Sequence, residues 1–281
     1  MVRVPADTSD GTLAWIRYEL AISSLLRVLS ELEKAGVEAL AVKGIVLASL
    51  LYEDPATRPL RDIDLRIRRR HLYRVARVAR RNGWPIDYSS RQLGALSFVV
   101  GQILVDVEVS IGPPGLCGLT VDQMFGRSRT RAVAGSVVRE PDVIDHAIVL
   151  VVNAFKDKLV LCPAWSVRDL GAIVTHDEFD ADAFLERIRE CRLEAVTWIV
   201  ADWMASRSPT LGALRDRISR TPPRKYYTAM LRRYCTDSPE GLAARVLARV
   251  GADDLPSRAY ALVAGAAGTT LSWARGRVRD P

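Results

Sequence analysis

Asp62 and Asp64 stand two residues apart in the run Arg58-Pro-Leu-Arg-Asp-Ile-Asp-Leu-Arg-Ile67. In a strand, that spacing puts both carboxylates on one face and sends Ile63, Leu65 and Ile67 into the core from the other. Like charges this close repel, and a cation between them relieves the repulsion; hard oxygen ligands suit Mg²⁺ that carries phosphates. Upstream, Val37-Glu-Ala-Leu-Ala-Val42 reads as a short strand that runs through Lys43-Gly44 into an apolar helix from Ile45 to Tyr52. Such a turn offers backbone N–H groups and the positive end of a helix to phosphate, and Lys43 adds a point charge. Downstream, Ile103-Leu-Val-Asp-Val-Glu-Val109 alternates strictly, with Asp106 and Glu108 on one face. Either can supply a third carboxylate.

The elements that must position these groups follow from periodicity and punctuation. A long amphipathic helix is predicted over 11–36, with Leu20, Leu25, Val28, Leu29 and Leu32 on its apolar side. Strands near 37–42, 61–67, 96–101 and 103–109 alternate with helices near 44–53 and 70–82, and Gly83-Trp-Pro85 closes the second of these. The segment Ile111-Gly-Pro-Pro-Gly115 is the clearest linker and divides the chain into domains at 1–112 and 113–281. Past it, a short strand pair around Gly135 precedes helices near 141–155, 164–175, 180–191, 193–206, 208–218, 223–235, 238–250 and 255–275. No fixed-period repeat is visible.

Composition narrows the class. The chain has 281 residues, half of them apolar, enough for two modest cores. Its N-terminus lacks a charged stretch followed by an apolar block, and no uncharged run approaches a membrane span, so a cytoplasmic protein with no membrane partner is expected. Cys117, Cys162, Cys191 and Cys235 form no CxxC pair, and His71, His146 and His176 are dispersed, which argues against a zinc site or a disulfide framework. Trp165, Trp198 and Trp203 read as core residues. The net charge of +7 invites a polyanion. On a helix over 70–82, Arg70, Arg74, Arg77 and Arg81 fall in one stripe opposite Leu72, Val75, Ala76 and Ala79; a solvated face and a nucleic-acid face both remain open.

The ordered set of strand, Gly turn, helix, Asp-x-Asp strand and later acidic strand resembles the DNA polymerase β-like nucleotidyltransferases. More narrowly, Lys43-Gly44, Tyr52-Glu-Asp-Pro55, Arg58 and Asp62-Ile-Asp-Leu65 resemble a family of small bacterial uncharacterised nucleotidyltransferases with an LKG…DIDLLV pattern. The resemblance covers residues 20–110, with a weaker echo over 145–175. It implies an α+β fold, a small mixed sheet with helices, followed by a helical C-terminal domain. Two departures stand out: Arg61 just before the aspartate pair, and Asn153 where the family has a helical histidine.

The same resemblance implies an enzyme that moves an NMP from an NTP such as ATP to an acceptor hydroxyl and releases pyrophosphate. Asp62 and Asp64 would hold two Mg²⁺ ions (Mn²⁺ serving as well), and Asp106, preferred over Glu108, would complete the second and orient the acceptor. Lys43 and Gly44 would grip the β and γ phosphates. Arg58 would neutralise the leaving pyrophosphate, or serve as an ion pair pinning the loop before the strand. Lys158 and Asp169 echo a Lys and a later Asp in toxin-like nucleotidyltransferases that act on tRNA: the lysine would neutralise triphosphate, and Asp169 would hold that lysine or the acceptor. RNA, at a tRNA 3′ end, is the first expected acceptor. A small molecule, namely an antibiotic or a biosynthetic intermediate, or a protein is the alternative, and a non-catalytic nucleotide- or RNA-binding protein comes third. The nucleotide, the oligomeric state and any antitoxin partner leave no mark on the sequence.

Overall fold

The computed structural model describes residues 11–91, 93–158 and 164–218 together with Asp254, Pro256, Ala259 and Val263, of which the side chains of Asp157 and Lys158 are excepted. The helices expected near 223–235 and 238–250 therefore lie outside the described residues, and of the one expected near 255–275 only Pro256, Ala259 and Val263 are described, each helical. Within them the fold is α+β.

The chain opens with α1 (Gly11–Lys34), whose buried residues Ala21, Leu25, Val28 and Leu32 recur at three- and four-residue steps. Leu20, expected on that side, is exposed, because it lies about a quarter-turn from Ala21 and off the stripe. Then come β1 (Leu40–Val42), α2 (Gly44–Leu51), β2 (Asp62–Arg66) and α3 (Leu72–Arg81). Next are β3 (Ile86–Ser90), β4 (Ala95–Val100) and β5 (Ile103–Glu108). These strands form one five-stranded sheet in the order β1-β2-β5-β4-β3. Only the β2–β5 pairing is parallel; the others are antiparallel. A parallel pair needs a crossover, and α3, β3 and β4 supply it.

Two elements are absent from the sequence reading. The first is β3, whose Ile-Asp-Tyr-Ser-Ser run has little strand propensity; it forms as an edge strand with a bulge between Ile86 and Tyr88. The second is α4 (Val121–Arg127), a helix of 7 residues carried by a capping box in which Thr120 and Gln123 satisfy each other's backbone N–H. The short strand pair around Gly135 forms as β6 (Arg129–Val133) and β7 (Ser136–Glu140), a separate hairpin. It is followed by α5 (Val143–Asn153), a π-helical turn at Ala154–Lys158, α6 (Ala164–Ile173), α7 (Ala181–Glu190), α8 (Glu194–Met204) and α9 (Pro209–Arg217). No described helix is long and apolar enough to cross a membrane.

By internal contacts the chain forms two compact units that interleave in sequence. The described residues within Met1–Ile111, Leu119–Leu150 and Arg168–Phe179 make the first, and those within Gly112–Gly118, Val151–Val167 and Asp180–Pro281 the second. The first unit holds the sheet. Ile63, Leu65, Phe98, Val105 and Val107 line one face of it, and α1 and α3 cover that face through Leu25, Val28, Val75 and Ala79. The opposite face carries the carboxylates. In the second unit, α7 and α8 pack through Phe184, Ile188, Ile199 and Val200, all buried, and Trp198 is buried beside them as expected of a core residue.

α1 and α3 end the same way. Trp84 N–H donates to Ala79 O and Gly83 N–H to Arg80 O, while Val37 N–H donates to Leu32 O and Gly36 N–H to Glu33 O. Both glycines have positive φ, +65° at Gly36 and +67° at Gly83. This double hydrogen bond stops the helix and turns the chain towards β1 or β3. Gly36→Ala and Gly83→Ala should each lower unfolding free energy by about 1–2 kcal/mol, the cost of a Cβ in the left-handed region; urea denaturation checks this, and an unchanged midpoint would contradict the cap.

Candidate active site

The parallel register sets Asp64 directly beside Asp106, and Arg66 beside Glu108. Asp62, Asp64 and Arg66 share the face opposite the core because the strand period is two. Of the two candidates for a third carboxylate, Glu108 is bonded to Arg66 at 2.5 Å. Asp106 is instead the neighbour of Asp64. Its pKa is pushed up to about 6, by burial first and then by the charges of Asp64, Asp62 and Glu108. The sheet therefore holds excess negative charge at this point.

Lys43 answers part of that charge. Its Nζ lies 2.5 Å from Asp64 Oδ1, and both side chains are largely shielded from solvent. β1 runs antiparallel to β2 with Val42 opposite Asp64, so the next residue emerges beside the carboxylates. Lys43 then caps α2 with φ 56° and ψ −132°, a backbone shape that L-residues rarely adopt. It is held there by its own N–H, which donates to Nε2 of His146 at 2.8 Å. His146 is fully buried on α5, and its pKa is depressed to about 3 by burial first and then by Arg129, Arg58, Arg131 and Lys43. It is neutral, accepts at Nε2, and its Nδ1 has no hydrogen-bond partner. Burial does most to keep the imidazole neutral, and the cations near it are themselves paired, Lys43 with Asp64, Arg58 with Asp169, and Arg129 and Arg131 with Glu140.

Arg58 and Asp169 form a buried unit. Arg58 Nη2 lies 2.7 Å from Asp169 Oδ2 and Nε donates to the same carboxylate, while Tyr52 donates its hydroxyl to Oδ1 at 2.7 Å. Burial and the Asp169 charge raise the Tyr52 pKa well above the usual phenol range. Asp169 is wholly inaccessible and Arg58 nearly so. Asp169, expected from the sequence as a partner of Lys158 or of the acceptor, has its carboxylate on Arg58 and Tyr52, while the Lys158 side chain lies outside the described residues. The loop-pinning role of Arg58 is the one seen in the geometry. Gly44 serves this network as well as the turn, because a Cβ there would lie 2.6 Å from Arg58 Nη1 and 3.1 Å from Leu60 Cδ2. With Arg58 clamped by Asp169, its Nη1 is not free to retreat.

Lys158 ends the π-helical turn in the second unit, and its side chain lies outside the described residues. Asn153 is buried in that unit, and Arg61 is exposed beside Asp62. The arginine stripe is also altered. Arg70 belongs to a 3-10 turn before α3, and Arg74 caps α1 by donating to Ala35 O and Gly36 O. Arg77 stacks over Tyr73, and Arg81 is exposed. The contact of His146 with the Lys43 turn is not legible in the sequence, since a hydrogen bond across 103 residues leaves no local pattern.

Among the described residues, no three His, Cys, Asp or Glu side chains already form a metal cage. The donor chemistry nonetheless fits a hard divalent cation. The carboxylates of Asp62, Asp64 and Asp106 come from adjoining strands of one face, and after burial their mutual repulsion is the next cause of the raised Asp106 pKa, a repulsion that such an ion would relieve.

A carboxylate pair on one sheet face stands beside a lysine-bearing turn into a helix, and by its family the chain is an enzyme of the nucleotidyltransferase type. Residues 13–207 match the family described as uncharacterised nucleotidyltransferase, and the chain belongs to that family. No curated protein matches it in sequence. Three solved structures are similar. The solution structure of the antibiotic-resistance factor ANT(2'')-Ia is 14% identical, with 77% of this chain and 97% of that chain covered and a TM-score of 0.44. An antigenic nucleotidyltransferase-like protein from Paracoccidioides brasiliensis is 13% identical, with 78% and 98% covered and a TM-score of 0.40. A tRNA nucleotidyltransferase complexed with a primer tRNA and an incoming ATP analog is 12% identical, with 84% and 79% covered and a TM-score of 0.28.

Two pH effects follow. His146 has an ordinary pKa of 6.5 and a folded value of about 3, so the unfolded chain binds more protons between them. Stability is held above pH 6.5 and declines as pH falls towards 3, and His146→Gln, which keeps an acceptor for Lys43, should flatten that decline in urea titrations. Asp106 has the opposite sign: its folded value of about 6 exceeds the ordinary 3.8, so the stability it contributes below 3.8 is lost as pH rises through 6. Asp106→Asn should therefore raise Tm above pH 6. With solvent screening part of the shift, the gain is about 2–4 °C, the effect of roughly 1 kcal/mol in a protein of this size. A lower Tm at pH 8 would refute the repulsion.

Proposed function

We propose that this protein transfers an NMP from an NTP to an acceptor hydroxyl with release of pyrophosphate, and that Asp62, Asp64 and Asp106 hold Mg²⁺ for the reaction. The single observation that carries this is the in-register placement of Asp64 beside Asp106, with the Lys43 ammonium on Asp64 at the start of α2. Bound Mg²⁺, or Mn²⁺, supplies positive charge against the phosphate oxygens.

The chain's own groups do the rest. Lys43 would pair with the β and γ phosphates, and the first amides of α2 would answer the same charge. In the transfer, the acceptor oxygen bonds the α-phosphorus, the bond to the β-phosphate bridging oxygen breaks, and pyrophosphate leaves with that electron pair. Asp106 takes the hydroxyl proton. Arg58, clamped by Asp169 and Tyr52, fixes the loop that leads into β2 and so sets the aspartates. Lys158 is retained as a phosphate ligand on the sequence resemblance alone. A cytoplasmic setting, where NTP and Mg²⁺ are plentiful, suits this chemistry.

For the acceptor we favour RNA, at a tRNA 3′ end in the toxin-like manner, on the net charge of +7 and the exposed arginines flanking α3. A cationic small molecule is the second reading. It is supported by the acidic run of Asp62, Asp64 and Asp106, which continues across Ser97 to Asp87 on the same sheet face.

Purified protein incubated with Mg²⁺, each α-labelled NTP and total tRNA should place label in RNA. EDTA should abolish the signal, and Asp62→Ala/Asp64→Ala should reduce it at least about 100-fold, the scale of lost transition-state charge stabilisation. Label entering small cationic alcohols instead would favour the second reading; pyrophosphate release from neither, with Mg²⁺ and every NTP supplied, would overturn nucleotidyl transfer.

A further inference from the structure

A groove of about 630 Å³ runs between α3 and the β3–β4 edge of the sheet, on the face opposite the carboxylates. Arg69, Arg70, Arg80 and Arg91 line it, and no acidic residue does. Its floor is apolar, from Leu72, Ala76 and Leu96. Tyr73, 68% exposed, stands in its wall with the Arg77 guanidinium 5.2 Å from its ring. Arg69 has a structural duty, donating to Arg91 O and so tying the β3–β4 turn to the start of α3. Arg80 and Arg91 are exposed. Guanidinium groups around an apolar floor with a solvent-facing aromatic make the arrangement that single-stranded nucleic acid requires: cations for the phosphates and a ring for a base.

Position adds to the argument. Asp106 lies on β5, and β3 is two strands further along the sheet. At the usual strand spacing the edge is about 10 Å away. A small acceptor bound among the carboxylates cannot also occupy the groove behind that edge, whereas a polymer that rounds β3 can touch both. The arginines that carry this arrangement are not the stripe read from the helical wheel, because Arg74 is spent on the end of α1 and Arg81 does not line the groove.

We propose that this groove is a binding track for single-stranded nucleic acid, with phosphates against Arg70, Arg80 and Arg91 and a base on Tyr73. It anchors the polynucleotide whose end is the acceptor at the carboxylate face, a role that rests on the nucleotidyl-transfer reading; the binding itself does not.

The test is fluorescence anisotropy of a labelled single-stranded RNA 20-mer against the full chain in a salt series. Arg80→Glu/Arg91→Glu should weaken binding at least tenfold and lower the salt slope by about 1.4, two phosphate contacts at about 0.7 each for a single strand. Tyr73→Ala should weaken binding with the slope unchanged. Arg17→Glu/Arg81→Glu makes the same charge change on exposed residues outside the groove, and should cost less than threefold. Circular dichroism of each variant confirms its fold. An equal loss in that control, or affinity within twofold of wild type for Arg80→Glu/Arg91→Glu, would overturn the track. So would groove-dependent binding of a poly-glutamate peptide with none of RNA, which would assign the groove to an acidic protein segment. Asp62→Ala/Asp64→Ala separates the two readings. RNA bound as tightly as by wild type, with no transfer by wild type to any acceptor, leaves the track standing and sinks transfer; transfer to a small acceptor without RNA binding does the reverse.

Discussion

The carboxylates of Asp64 and Asp106 are held side by side on neighbouring parallel strands, and much of the first unit follows from keeping them there. Their repulsion raises the cost of the folded state at neutral pH, which the apolar contacts on the sheet's other face offset. A fully buried Leu or Val contributes about 1.5–3 kcal/mol, so the layer beneath the carboxylates exceeds the penalty several times over. Lys43 lowers the repulsion further by sitting on Asp64. A group that answers the charge in this way also competes for it. Any cation that takes Asp64 must displace an ammonium.

Lys43 can do this only because its backbone is fixed. The positive φ at a non-glycine residue costs about 1–3 kcal/mol, and the hydrogen bond from its N–H to His146 helps secure it. His146 in turn must stay neutral to accept. Burial first, and then the surrounding Lys and Arg charges, ensure that. Arg58 follows the same logic at the other end of the segment. Asp169 and Tyr52 hold it, it packs against Gly44, and the loop into β2 is thereby tied to α2 and α6. An ion pair this buried gives little net stability, but removing one partner would strand the other's charge. Its value lies in placing the segment that delivers Asp62.

The sheet separates two electrostatic surfaces. One face gathers Asp62, Asp64, Asp106 and Asp87; behind the β3 edge lies a groove lined by arginine. A polyanion is repelled by the first surface until cations bind there, and attracted by the second.

The sequence by itself determined the local elements and the face of each acidic side chain. The Asp-Ile-Asp and Asp-Val-Glu alternations, the strand-to-helix passage through Lys43-Gly44 and the α1 and α3 stripes are all set by neighbours within a few residues, where period and propensity act. The weak strand β3 and the short helix α4 escaped because neither has enough local signal; β3 exists through pairing with β4, and α4 through its cap. Tertiary structure alone set Asp106 beside Asp64 and Glu108 on Arg66, since both point the same way along β5 and only the register against β2 tells them apart. It also turned Asp169 from a ligand candidate into the buried anchor of Arg58, brought His146 to Lys43, and moved the basic surface from a helical stripe to a groove shared with β3. Those outcomes depend on which distant side chains meet when the sheet closes, a long-range matter that composition and spacing along the chain do not encode.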